Sequence, residues 1–96
     1  MPEIDTIKAM IRPLAIEYGL KRIYLFGSFA KGTANEDSDI DLLIEKGKPM
    51  SLLKLSGFRQ DIKEKMKRSV DVVTTTGIEA EFATAISGTE ILLYEE

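Results

Sequence analysis

The sequence predicts an α/β (α+β) domain, a small mixed sheet of about four strands with helices packed against it. Two observations carry that expectation. Stretches with apolar residues every three or four positions alternate with short β-branched or aromatic runs. The chain also has only 96 residues and no low-complexity linker or internal repeat, so one domain over residues 1–96 is expected.

The elements follow in order. Ile4, Ile7, Ile11, Leu14 and Tyr18 share one helical face, with Asp5 or Thr6 as possible caps and Gly19 suited to the end. Pro13 removes a helical hydrogen bond, so a kinked helix over about 5–18 is expected. Arg22 to Phe26 reads as a strand that stops at a glycine. Ser28 to Lys31 reads as one helical turn closed by Gly32, and Thr33 to Ser38 as a polar turn. Asp39 to Ile44 reads as a second strand, with Ile40, Leu42 and Ile44 on one face and Asp39, Asp41 and Leu43 on the other.

After a loop over 46–49, Ser51 can cap a long helix whose apolar stripe is Leu52, Leu55, Phe58, Ile62 and Met66. Val70 to Thr74 reads as a third strand carrying Asp71 on the face of Val73. A shorter helix over 78–86, a break at Ser87-Gly88 and a last strand over 90–94 complete the pattern.

Composition narrows the chemistry. Hydrophobic residues make up 44% and charged residues 30%, which suits a soluble globular protein, and no apolar run approaches the ~20 residues that span a bilayer. With no secretory pattern at the N-terminus, a cytoplasmic protein is expected. There is no cysteine, so disulfides, thiolate metal sites and a cysteine nucleophile are excluded; with no histidine either, carboxylates must carry any acid–base or metal work. A net charge of −3 argues against stable nucleic-acid binding. The cations Lys46, Lys48, Lys54, Arg59, Lys63, Lys65, Lys67 and Arg68 read as a solvated helix face.

The stretch from Ile23 to Ile44 concentrates the chemistry. Aspartates two apart in a strand project to the same side, so Asp39 and Asp41 can ligate one metal or bridge two; the alternative is that they lie in solvent at the start of the strand. Magnesium takes hard oxygen ligands and is usually held by one or two carboxylates plus substrate phosphates. Asp71, on another apolar strand, reads as a third buried-strand carboxylate in need of partners. Gly27 lets backbone approach a phosphate, and the Ser28 hydroxyl and nearby amides can donate to it. An ordinary strand-to-helix turn has the same residues.

Gly27-Ser28, ten intervening residues, then Asp39-Ile40-Asp41 resemble the signature of the DNA polymerase β-like nucleotidyltransferase superfamily. The surrounding LFGSFAKGTANEDSDIDLLIE is most similar to the minimal nucleotidyltransferases, small proteins often encoded beside a HEPN-domain toxin and acting as its antitoxin. The resemblance implies a minimal nucleotidyltransferase fold over the whole chain. It implies nucleotide binding by Gly27, Ser28 and Lys31, the last standing where the family more often has arginine. It further implies two magnesium ions, one shared by Asp39, Asp41 and Asp71 and the other on Asp39 and Asp41, with Asp71 also able to act as general base. The implied reaction moves AMP from ATP to an acceptor hydroxyl.

The resemblance makes a hydroxyl on a HEPN-type toxin, a tyrosine for preference, the expected target, and the small chain, with little surface left for a specific small acceptor, agrees with it. Phe29 could contribute to that docking or belong to the core. The alternatives are a non-catalytic antitoxin that occludes its partner, and transfer to a small molecule such as an aminoglycoside. A haloacid dehalogenase-type phosphatase is set aside, because there the aspartates follow an apolar strand, whereas here they begin one.

Overall fold

The computed structural model describes residues 3–47, 50–75 and 90–96. The elements run α1 (Ile4–Tyr18), β1 (Leu20–Phe26), α2 (Gly27–Lys31), β2 (Ile40–Lys46), α3 (Leu52–Met66), β3 (Val70–Thr75) and β4 (Ile91–Glu95). The helix expected over 78–86 and the Ser87-Gly88 break lie outside the described residues.

The four strands form one mixed sheet in the order β3-β2-β1-β4. β1 pairs antiparallel with both β2 and β4, while β2 and β3 are parallel. Parallel neighbours need a crossover, and α3 supplies it between β2 and β3. One consequence is that the end of β1 and the starts of β2 and β3 meet at the same end of the sheet. Phe26 pairs with Asp41, and Asp41 with Asp71.

The core forms where α1 and α3 cover one sheet face. Ile7, Ile11, Leu14 and Ala15 of α1, with Phe58 and Ile62 of α3, pack on Ile23, Leu25, Ile40, Leu42, Ile44, Val70 and Leu93. Each fully buried Ile, Leu or Phe contributes about 1.5–3 kcal/mol, so this layer holds the sheet against the helices. Gly57 lowers the helical propensity of α3 for a reason the packing supplies: a Cβ there would sit 3.2 Å from the Tyr18 hydroxyl. That hydroxyl donates to Asp61 at 2.9 Å, and the Tyr18 ring meets Phe58 edge-on, tying α1 to α3.

Several local expectations are corrected. α1 begins after Glu3 with no side-chain cap, so Asp5 and Thr6 lie inside the helix; Asp5 favours its first turn through the helix dipole instead. The helix runs unbroken through Pro13, whose side chain is exposed, and ends at Gly19 in the left-handed conformation. Ser51 caps α3, accepting from the Lys54 amide at 3.1 Å, but Leu52 is 82% exposed and drops out of the apolar stripe. Leu52 lies in the first helical turn, beyond the edge of the packed layer. Phe29, 5% exposed, belongs to the core. Among the described residues no helix is long and apolar enough to cross a membrane.

Candidate active site

The site is built from the turn at the end of β1 and the carboxylates at the starts of β2 and β3. Gly27 has φ +72°, a left-handed conformation that disfavours any side chain. Its missing Cβ matters a second time, because a methyl group there would collide with the Asp41 carboxylate and lie 3.2 Å from its Cγ. The glycine therefore lets the turn sit directly against Asp41. Ser28 follows in α2, a five-residue helix whose start no side chain caps and which Gly32 closes. The Ser28 carbonyl accepts from the Thr33 amide at 3.0 Å, which fixes the far side of the turn.

Asp41 is half-buried, and Asp71 lies in register beside it. Burial raises the Asp41 pKa above its usual value, and the nearby negative charges of Asp71 and Asp39 and hydrogen bonding with Asp71 push it further up. Three carboxylates thus share one corner of the sheet, and among the described residues no ion pair neutralises them. Asp71 is exposed, which corrects the expectation of a buried third carboxylate: it stands at the start of β3, at one side of the sheet. Asp39 is exposed too and precedes β2, whose first residue is Ile40.

Among the described residues, no three acidic side chains are gathered into a ready-made metal cage. The donor set is nevertheless all hard oxygen, and two of its three members face solvent. It fits a magnesium ion whose remaining ligands come from phosphate and water. Gly27, Asp41 and Asp71 are therefore brought together, with Asp39 and Ser28 adjoining them. Lys31 is exposed at the far end of α2 and makes no contact with the aspartates among the described interactions.

The sequence reading misses Arg68, which it places on a solvated cationic face; Arg59, exposed on α3, does lie on such a face. Arg59 Nε donates to the Val70 carbonyl at 2.8 Å. Arg68 Nη1 donates to the carbonyls of Asn35 and Ser38, at the loop that leads to Asp39. The signal that separates Arg68 from Lys63 and Lys65 is position: like Lys67, it falls after α3 has ended, where no helix face remains.

Relatives and solved structures point the same way. A Methanocaldococcus jannaschii protein, provisionally named a protein adenylyltransferase, is 40% identical over 75 residues, covering 78% of this chain and 81% of its own. The protein adenylyltransferase MntA of Thermococcus cleftensis is 30% identical over 87 residues, covering 90% of this chain and 88% of its own. A chain from the complex of tri-AMPylated Shewanella oneidensis HEPN toxin with MNT antitoxin matches with a TM-score of 0.73 at 18% identity, over 97% of this chain and 73% of its own, a likeness of fold. The model of the nucleotidyltransferase domain matches residues 7–91, spanning the Gly27-Ser28 turn and all three aspartates, and the chain belongs to that family.

Proposed function

We propose that the protein is a magnesium-dependent protein adenylyltransferase that moves AMP from ATP to a hydroxyl, a tyrosine for preference, on a HEPN-type toxin, and so acts as its antitoxin. The observation that carries the reading is the corner where Gly27 packs on Asp41 while Asp71 lies in register beside it. The names of the relatives and the AMPylated toxin in the structural neighbour support the choice of nucleotide and acceptor. A chain without cysteine suits the reducing cytoplasm, where we place the reaction.

In this reading Gly27 and Ser28 receive the triphosphate: the glycine admits its oxygens close to the backbone, and the serine hydroxyl donates to them. Asp39, Asp41 and Asp71 would hold two magnesium ions, which when bound supply the positive charge that activates the acceptor hydroxyl and offsets the triphosphate. The acceptor oxygen forms a bond to the α-phosphorus, the bond to the bridging oxygen breaks, and pyrophosphate leaves. Asp71, exposed at the start of β3, takes the hydroxyl proton. Lys31 adds positive charge at the rim as a point charge without bidentate geometry.

The test incubates the protein with α-labelled ATP, magnesium and its HEPN partner. Label is expected on the partner and is expected to vanish in Asp39→Ala and Asp41→Ala. Full neutralisation of the toxin by both variants, without label, would replace the reading with an occluding antitoxin. Label on an aminoglycoside and not on protein would move the acceptor to a small molecule.

A further inference from the structure

We propose that Arg68 is a positioning residue of this site, clamping the backbone around Asp39 so that the three carboxylates keep their spacing. The inference rests on the adenylyltransferase reading for its catalytic consequence, but not for the clamp itself. Asp39 is exposed, precedes β2 and makes no side-chain hydrogen bond among the described residues, so only its backbone can hold it in place. Both flanks are held from one short segment. On one side the Ser38 carbonyl accepts from Arg68 Nη1 at 3.0 Å; on the other the Ile40 amide donates to the Ser69 carbonyl at 3.0 Å.

The grip extends beyond those two bonds. Arg68 Nη1 also donates to the Asn35 carbonyl at 3.3 Å. The loop between those carbonyls is already braced internally: the Asp37 amide donates to Asn35 Oδ1 at 2.8 Å and the Asn35 amide to Ser38 Oγ at 2.8 Å. Arg68 therefore fastens a preformed loop, not a slack one. Its guanidinium carbon also lies 5.2 Å from the centre of the Phe29 ring, in the residue after Ser28. Three residues further along the chain is Asp71. One side chain thus ties together the Ser28 turn, the approach to Asp39 and the strand that carries Asp71.

The Nε atom of Arg68 is buried without a hydrogen-bond partner, an unfavourable arrangement for a side chain placed only to fill space. Methionine would pack on Phe29 without it. The two carbonyls at the other end of the guanidinium account for arginine.

Arg68→Met keeps the apolar stem and removes the donors, while Arg68→Lys keeps one charged donor group. Made in the full chain, Arg68→Met is expected to keep the wild-type circular dichroism and amide exchange of α1, while exchange across 33–41 speeds up about tenfold. The kcat for AMP transfer to the HEPN partner is expected to fall about 100-fold with KM for ATP within about threefold, since misplacement near 1 Å has that effect. Arg68→Lys is expected to recover part of the loss. Unchanged exchange across 33–41, wild-type kcat, or a loss confined to KM for ATP would overturn the clamp. If Arg68→Met does not fold, Arg68→Lys decides: kcat about tenfold down with KM unchanged supports the proposal, and wild-type kcat overturns it. Failure of the wild-type protein to transfer label would sink the adenylyltransferase reading and leave the exchange measurement to judge the clamp.

Discussion

Two ends of one sheet face treat their carboxylates in opposite ways. Asp41 and Glu45 lie four residues apart in β2 and point to the same face. Glu45 is nearly buried, yet Arg22 meets it at 2.6 Å and reaches Glu95 at 2.7 Å. Hydrogen bonds to Glu95 and Glu45 raise the Arg22 pKa, so that cluster stays charged and paired. At the other end Asp41 faces Asp71 and Asp39, and its pKa is pushed up by burial and by their charges. The same strand shows that this chain can provide a cation for a buried carboxylate. Among the described residues no cation meets Asp41, and on the proposed reading its charge is met by a cation that arrives with the nucleotide.

The sharpest way to break the comparison is at Gly27. Gly27→Ala forces a side chain into a left-handed conformation, worth about 1–2 kcal/mol, and drives a methyl group into Asp41. AMP transfer is expected to fall at least ~100-fold, measured with labelled ATP, as the turn leaves its place against the carboxylates. The paired end should respond differently. Glu45→Gln removes the charge that Arg22 meets and is expected to lower the Tm by about 5 °C in a thermal melt while leaving transfer within about twofold of wild type. Loss of transfer in Glu45→Gln with an unchanged Tm would show that the two ends are not independent.

Much of this was legible in the sequence, for identifiable physical reasons. Ile40, Leu42 and Ile44 alternate with Asp41 and Leu43, and a period of two admits only one assignment of faces, which β2 adopts. Gly27, Ser28, Asp39 and Asp41 sit within one short span, so local geometry brings them near each other. Asp71 was found on its strand, but not its exposure, because burial depends on where β3 falls in the sheet order. Arg68 was invisible for a related reason. Its hydrogen bonds cross 30 and 33 residues, and a lysine-rich neighbourhood disguises it as surface. Leu52 failed because helical periodicity says which residues share a face, not how far along the helix the packed layer extends.

The claim that the Asp41 corner is left unpaired for a ligand is tested most directly by melting wild type and Asp41→Asn in metal-free buffer from about pH 4 to pH 7. A carboxyl whose pKa is raised on folding binds its proton more tightly in the folded state; its favourable contribution is present at low pH and is lost as pH rises through the folded pKa. Asp41→Asn removes that loss. The two melts are therefore expected to lie close together near pH 4 and to diverge as pH rises, with the variant a few degrees more stable at pH 7 and unresponsive to magnesium with ATP, which stabilises the wild type. A variant that is less stable than wild type at pH 7, or that gains as much stability from magnesium and ATP, would contradict it.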